Sequence, residues 1–418
     1  MEIFKRLESE VRSYIRSFPV VFKKAKGAFI YDEEGKKYID FFAGAGTLNY
    51  GHNNPKISKA LIEHLQNDGI VHSLDKATEA KKRFLQKFDS TILRPRGMDY
   101  KVQFPGPTGT NAVETALKLA RMVQGRSNVI SFTNGFHGMT MGSLAVTGNT
   151  FYRDEAFMTR SNVAFMPYDG YFGNGVNTIE YIRKFLDDPS SGVDKPAAMI
   201  LETVQAEGGV NVASYEWLVE IQKLCHEYGI LFIVDDIQVG NGRTGTFFSF
   251  ERAGIQPDII TLSKSIGGGL PLSLVLIKPE LDQWKPGEHT GTFRGNNLAF
   301  VASAEALTYW DDDQLAGEVD AKSLILKERL EAIRDKFPQL NASVRGRGLI
   351  YGLQIPIAEM ASEISTAAFH RGLIIELAGA RDDVVKFLPS LTIEEDVLKQ
   401  GLDIIEDSIA HVIENWGL

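Results

Sequence analysis

Short apolar runs that alternate with amphipathic helical patterns leave a chain few folds to adopt. Between Tyr100 and Pro279 such runs fall at 128–132 (NVISF), 197–201 (AAMIL), 230–234 (ILFIV), 258–262 (DIITL) and 273–277 (SLVLI). Each has the length of one strand, and their nearly unbroken apolar character suits strands covered on both faces by helices. Between them, 111–123 sets Ala112, Val113, Ala116, Leu117, Ala120 and Val123 on one helical stripe, and 215–228 repeats the period. The expectation is an α/β fold: a large domain built on a mostly parallel sheet with helices on both faces. Outside it, 27–42 reads as a hairpin turning at Asp32-Glu33-Glu34-Gly35. Helical patterns at 298–309 and 315–336 lead to strand candidates at 349–355 and 384–388 and a last helix at 395–415. The chain ends are expected to form a smaller α+β domain, with segments 1–55 and 301–418 flanking a large domain at 56–300.

Composition narrows the function. At about 150 residues per domain, 418 residues give two or three domains. Lys and Arg total 45 against 54 Asp and Glu, a net charge of −9, which argues against a general nucleic-acid binder. The single cysteine, Cys225, permits no internal disulfide and no cysteine-based zinc site, which fits a reducing compartment. The opening MEIFKRLESEVRSYIRSF has no apolar signal region, and no run approaches the roughly 18 apolar residues of a membrane span. A cytoplasmic protein with no membrane partner is expected, and no side-chain cluster identifies a metal site.

Polar groups recur where the strand candidates end, the place where open α/β sheets bind ligands. The turn 106–111 (GPTGTN) precedes a helix and could offer backbone N–H groups to a phosphate, or could be an ordinary helix cap. In 134–138 (NGFHG), Phe136 and His137 could face a flat ring, or be a packed Phe and a surface His. Asp235, Asp236 and Gln238 follow ILFIV; a buried acid there needs a cation, either a protonated ring nitrogen or an arginine such as Arg243, or else it serves as a helix cap. Lys264 leaves a strand and enters the glycine-rich turn of TLSKSIGGGLP. A desolvated lysine can lose its proton and attack a carbonyl to form a Schiff base. The G-x-G at Gly44 and Gly46 lacks the third glycine of a dinucleotide fingerprint.

These residues fall within a series that resembles the class-III (omega) aminotransferases, fold-type-I enzymes of pyridoxal 5′-phosphate. The landmarks occur in order along nearly the whole chain: YGHNNP (50–55), TGTNAVE (108–114), FHG (136–138), ETVQAEGG (202–209), DDIQVGNGRTG (235–245), SKSIGGGLP (263–271) and HTGTFRGNNLA (289–299). The resemblance implies that Lys264 anchors the cofactor covalently, Asp235 pairs with its ring nitrogen, Gln238 reaches its ring hydroxyl and Phe136 stacks on the ring. Gly109 and Thr110 would hold the phosphate. Thr292 would complete that site from a neighbouring subunit, making a homodimer the minimum unit and a tetramer or hexamer the larger options. Glu202 and Glu207 match the two acidic positions lining the site.

The departures from the wider family are Asn111 for Glu, Thr203 for Pro, Ala206 for Gly, Asp236 for Glu, Arg294 for Gly and Asn297 for Pro. Lys386 stands where many relatives carry a carboxylate-binding Arg, and lysine lacks the planar bidentate fork. It reads either as a mobile substrate-binding charge or as a solvent-facing strand lysine. Together with the openings FKRLESEVRSYIRSFPVVFKKAKG and DFFAGAGTLNYGHNNP, the variant motifs resemble the diaminobutyrate–2-oxoglutarate branch, linked to ectoine biosynthesis. That branch implies L-glutamate and L-aspartate 4-semialdehyde as substrates and suggests potassium dependence. An ornithine or 4-aminobutyrate aminotransferase, an aminomutase or racemase, and a non-catalytic relative are the alternatives.

Overall fold

The computed structural model describes every residue except 155, 158–161, 174 and 418. The first strands, β1 (Phe22–Lys26), β2 (Phe29–Asp32) and β3 (Lys37–Asp40), form an antiparallel meander. The central sheet takes β4 (Lys101–Gln103), β5 (Val129–Phe132), β6 (Val163–Met166) and β7 (Ala198–Leu201). A short ribbon, β8 (Val204–Gln205) with β9 (Asn211–Val212), precedes β10 (Leu231–Asp235), β11 (Ile259–Leu262) and β12 (Leu274–Ile277). The order across the central sheet is β4-β12-β11-β10-β7-β5-β6. Neighbours from β11 to β6 are parallel; β12 runs against both β11 and β4.

The apolar runs are central strands because both faces are covered. Ala198, Ile200, Ile233 and Ile259 pack against Ala112, Val113 and Ala116 of helix Gly109–Gln124. Their alternating neighbours Met199, Phe232, Val234 and Ile260 join the core on the other face, with Trp217 and Leu218 of helix Tyr215–Tyr228. Period-two geometry sends successive side chains to opposite faces, so an all-apolar strand satisfies two cores.

The chain ends interlock. β13 (Ser343–Arg347), β14 (Ile350–Gln354), β15 (Leu373–Ile374), β16 (Glu376–Ala378) and β17 (Val384–Phe387) follow the helix Gln314–Lys336. β15 pairs in parallel with β3, joining residue 373 to residue 39, while β13-β14-β17-β16 form a separate sheet. The last helix, Glu395–Trp416, packs on Ala358–His370 and Gln314–Lys336. Arg243 is not the partner of Asp235. It is fully buried and donates to Leu349 O (2.8 Å), Pro389 O and Asn49 Oδ1 (2.6 Å), fastening both chain ends to the loop after β10. Among the described residues no helix is long and apolar enough to cross a membrane.

Candidate active site

Lys264 is set by the turn that follows β11. It has a left-handed φ of 54°, a conformation that a non-glycine residue holds at a cost of ~1–3 kcal/mol and that is concentrated at functional sites. Gly268, at φ 62°, makes the turn feasible, since a Cβ there would lie 2.9 Å from Ala302 of helix Asn297–Ala306. Among the described residues the Lys264 Nζ has no hydrogen-bond or ion-pair partner. Burial pushes its amine below the usual lysine range; Glu207 opposes the shift and the charge of Lys386 adds to it.

Asp235 ends β10 and is buried. His137 Nδ1 lies 2.6 Å from its Oδ2, while the Thr261 hydroxyl (3.1 Å) and the Ile237 N–H (3.2 Å) donate to Oδ1. His137 is therefore not a surface residue; it is buried and orients the acid. Burial alone would lower its pKa, but the hydrogen bond and charge of Asp235 outweigh that and raise it. Sequence reasoning noted this histidine without finding its partner, which lies 98 positions away.

Gly109 and Thr110 open helix Gly109–Gln124 behind a true capping box of Thr108 and Asn111, so the turn is a cap whatever else it holds. A Cβ on Gly109 would come within 3.0 Å of Ile237, which fixes the helix start close beside the Asp235 loop. The Thr110 hydroxyl meets that of Thr140 at 2.6 Å. Phe136 lines a cleft of 230 Å³ with Tyr152 and Glu207, its ring 5.6 Å from that of Tyr152. The Phe136 N–H donates to Glu202 Oε2 (3.0 Å), and burial pushes the Glu202 carboxyl up to about 8, where it is mainly protonated at neutral pH.

Lys386 is not a solvent-facing lysine. It is wholly buried on β17, with Nζ 2.7 Å from Glu207 Oε1 and 2.8 Å from Glu376 Oε1. Glu207 also accepts from Gln238 Nε2 (2.9 Å), whose other acceptor is Ala45 O. Although burial opposes it, the lysines Lys386 and Lys264 bring the Glu207 carboxyl down to about 2. Glu376 and Tyr14 were not anticipated. Glu376 sits directly across the β16–β17 pair from Lys386, and its Oε2 accepts from the Tyr14 hydroxyl at 3.2 Å. An acid inside the apolar run GLIIELA, ten residues before Lys386, was the available signal.

Thr292 stands apart from this group within one chain. It is exposed, and its carbonyl meets His72 Nε2 at 3.0 Å. The departures do have local partners: the Thr203 hydroxyl donates to Ser249 (2.5 Å), which bonds Asp236, and Asn297 bonds both Ser73 and Thr78. A larger groove of 680 Å³, walled by Lys56, Glu63, His64, Arg83 and Glu305, shares no residue with the Lys264 cluster.

Known proteins show the same plan. The chain matches the family described as aminotransferase class-III over residues 12–409. It is 70% identical to the diaminobutyrate–2-oxoglutarate transaminase of Wolinella succinogenes, over 99% of this chain and 97% of that one. It is 57% identical to the protein of that name from Halalkalibacterium halodurans, again over 99% and 97%. Among solved structures, an ornithine aminotransferase of Toxoplasma gondii with pyridoxal phosphate in partial occupancy superposes with a TM-score of 0.86. It is 26% identical, over 99% of this chain and 94% of that one. The acetylornithine aminotransferase of Elizabethkingia anophelis gives 0.81 at 29% identity, over 98% of each. The α/β fold expected from the strand runs is thus the fold-type-I one, and the chain belongs to the class-III aminotransferases.

Proposed function

We propose that the chain is a diaminobutyrate–2-oxoglutarate transaminase. It moves an amino group from L-glutamate to L-aspartate 4-semialdehyde, reversibly, giving 2-oxoglutarate and L-2,4-diaminobutyrate, the first step toward ectoine. The observation that carries this reading is Lys264, an amine of lowered basicity held beside Asp235 with no bonded partner among the described residues. The choice of substrate leans on the name shared by relatives 57–70% identical over the full chain.

Pyridoxal 5′-phosphate fits the residues present. Gln238 Oε1 is a buried acceptor without a donor, suited to a ring hydroxyl. Gly109 and Thr110 at a helix start suit the phosphate, the ring of Phe136 suits a flat heterocycle, and Asp235 suits a protonated ring nitrogen. When bound, this group supplies the electron sink that makes an amine-bearing carbon acidic. Lys264 holds it and, once released, its Nζ moves the proton at Cα of glutamate in one half-reaction and at C4 of diaminobutyrate in the other. His137 and Thr261 keep the Asp235 carboxylate aimed. Glu202 fixes the Phe136 backbone. Glu207 and Lys386 line the substrate side, where opening of their pair frees the lysine for a carboxylate of glutamate. Thr292 serves the phosphate site of a second copy, so a homodimer is the minimum unit; the lone free cysteine, Cys225, suits the reducing cytoplasm.

The test is a donor and acceptor panel on purified protein. Glutamate should yield 2-oxoglutarate when aspartate 4-semialdehyde is the acceptor, and diaminobutyrate should drive the reverse. Faster turnover of ornithine or 4-aminobutyrate refutes the substrate. Turnover without any 2-oxo acid marks an aminomutase, and a protein that takes up no pyridoxal phosphate marks a non-catalytic relative.

A further inference from the structure

The backbone between β3 and the YGHNNP landmark runs against ordinary preference. Ala43, Gly44, Ala45 and Gly46 have φ values of 46°, 58°, 56° and 84°, four left-handed residues in succession. Glycine adopts that region freely, which gives the G-x-G at Gly44 and Gly46 a use; alanine does so only at a cost, and Ala43 and Ala45 both bear it. Such a turn persists only where its surroundings over-determine it. Here Asp40, buried at the end of β3, accepts at Oδ1 from the Phe42 and Ala43 N–H groups, both at 2.8 Å. Its Oδ2 lies 2.7 Å from His52 Nε2. His52 is itself pinned, because its N–H donates to the Gly27 carbonyl (2.9 Å) and its carbonyl accepts from the Gly27 N–H (2.8 Å).

The far side of this turn meets a site residue. The Ala45 carbonyl accepts from Gln238 Nε2 at 2.9 Å, and the same Nε2 donates to Glu207 Oε1 at 2.9 Å. A Cβ on Gly46 would lie 3.5 Å from Gln238 Cγ, so the turn also packs along that side chain. With both amide hydrogens spent on the protein, Gln238 has only Oε1 left, buried and without a donor. We propose that His52 and Asp40 are positioning residues for Gln238: together they hold the left-handed turn, whose Ala45 carbonyl fixes the amide so that Oε1 stays available to the ring hydroxyl of the cofactor. This rests on the pyridoxal 5′-phosphate reading above. Releasing the pair lets the two alanines return to ordinary backbone and takes the Ala45 carbonyl away from Nε2. An amide with one hydrogen unspent is then free to rotate.

The experiment uses the full-length protein and compares wild type, His52→Ala and His52→Gln, each with Gln238 intact and with Gln238→Leu. It reads the pyridoxal phosphate concentration at half-saturation, the pH midpoint of the visible absorbance of the loaded protein, and the melting temperature of the cofactor-free protein. With Gln238 present, His52→Ala should weaken cofactor retention about 3- to 10-fold, the range for one hydrogen bond between neutral groups. The absorbance midpoint should move by about half a pH unit. With Gln238→Leu the loss of retention should shrink below about twofold and the midpoint should stay put, because the pair then has no amide to hold. His52→Gln, whose Nε2 lies as many bonds from Cβ as that of histidine, should stay within about twofold of wild type. A lower melting temperature with retention and absorbance unchanged overturns the proposal and leaves the pair as a support of the fold. Equal losses of retention in both Gln238 backgrounds overturn it as well, since the effect would bypass Gln238. Should His52→Ala fail to fold, His52→Asn, too short to reach Asp40, takes its place with the same expected and refuting results. A wild type that takes up no pyridoxal phosphate refutes the cofactor reading and this inference together, and the wild-type arm alone reveals that outcome.

Discussion

Replacing Lys386 by methionine keeps most of the side-chain volume and deletes the charge that two buried acids share. In the wild type the Glu207 carboxyl moves from 4.5 to about 2, against its own burial and with Lys386 the largest favourable contribution. At about 1.4 kcal/mol per pH unit, that displacement is worth roughly 3 kcal/mol. Glu376 loses its counter-charge too, so Lys386→Met should destabilise the protein at pH 7 by about 3–5 kcal/mol, the range for orphaning a buried ion. A depressed folded-state pKa gives stability that is complete above 4.5 and disappears as the pH falls toward about 2. In the variant both acids are instead pushed upward, so unfolding becomes easier as the pH rises. The gap from wild type should therefore be wide at pH 7 and narrow near pH 4. Urea unfolding followed by tryptophan fluorescence at the two pH values reads this directly. Adding Glu207→Gln to Lys386→Met should recover about 1–2 kcal/mol by removing one orphaned charge. A loss below about 1 kcal/mol that does not change with pH would refute the reasoning, because it would mean that solvent already screens the trio.

Four further outcomes are expected. Lys264→Ala should abolish turnover and the pH-sensitive visible absorbance of lysine-bound cofactor; turnover near wild type removes Lys264 from the chemistry. Asp235→Asn should bind cofactor yet slow single-turnover proton removal by about 100-fold or more, and an unchanged rate would make the acid merely structural. Thr292→Ala should weaken cofactor retention by about 1–3 kcal/mol. Mixing Lys264→Ala with Thr292→Arg chains should restore partial activity, and no recovery after demonstrated subunit exchange contradicts a shared site.

What could be read from the sequence was what neighbours along the chain decide. The run ILFIV becomes β10 within one residue, and helix Tyr215–Tyr228 has the bounds its period implied, because strand burial and helical stripes are local patterns. The start of helix Gly109–Gln124 comes two residues before Asn111, because Thr108 takes the cap. The acid and amine at the strand ends, Asp235 and Lys264, were visible for the same reason. Hidden were the partners that only folding supplies. His137 finds Asp235, Tyr14 finds Glu376 across 362 positions, and Arg243 bonds Asn49 and Leu349 instead of the acid beside it in sequence. The burial of Lys386 was likewise undecidable from VKFLPSL alone, since it depends on β14 and β16 flanking β17 on either side.

The pairing of β3 with β15 sets an order of events during synthesis. Residues 37–40 leave the ribosome early, but the strand that completes their sheet lies at 373–374. At roughly 5–20 residues per second, the roughly 330 intervening residues keep the meander's open edge waiting from about a quarter of a minute to about a minute. An unpaired edge is where nascent chains join wrong partners, and lysine is a common safeguard there. Lys36 and Lys37 stand at the start of β3, and Lys23, Lys24 and Lys26 charge the opposite edge on β1. Tyr14 can meet Glu376 only once β16 has also left the ribosome, so this tie between the first segment and the C-terminal sheet forms late as well.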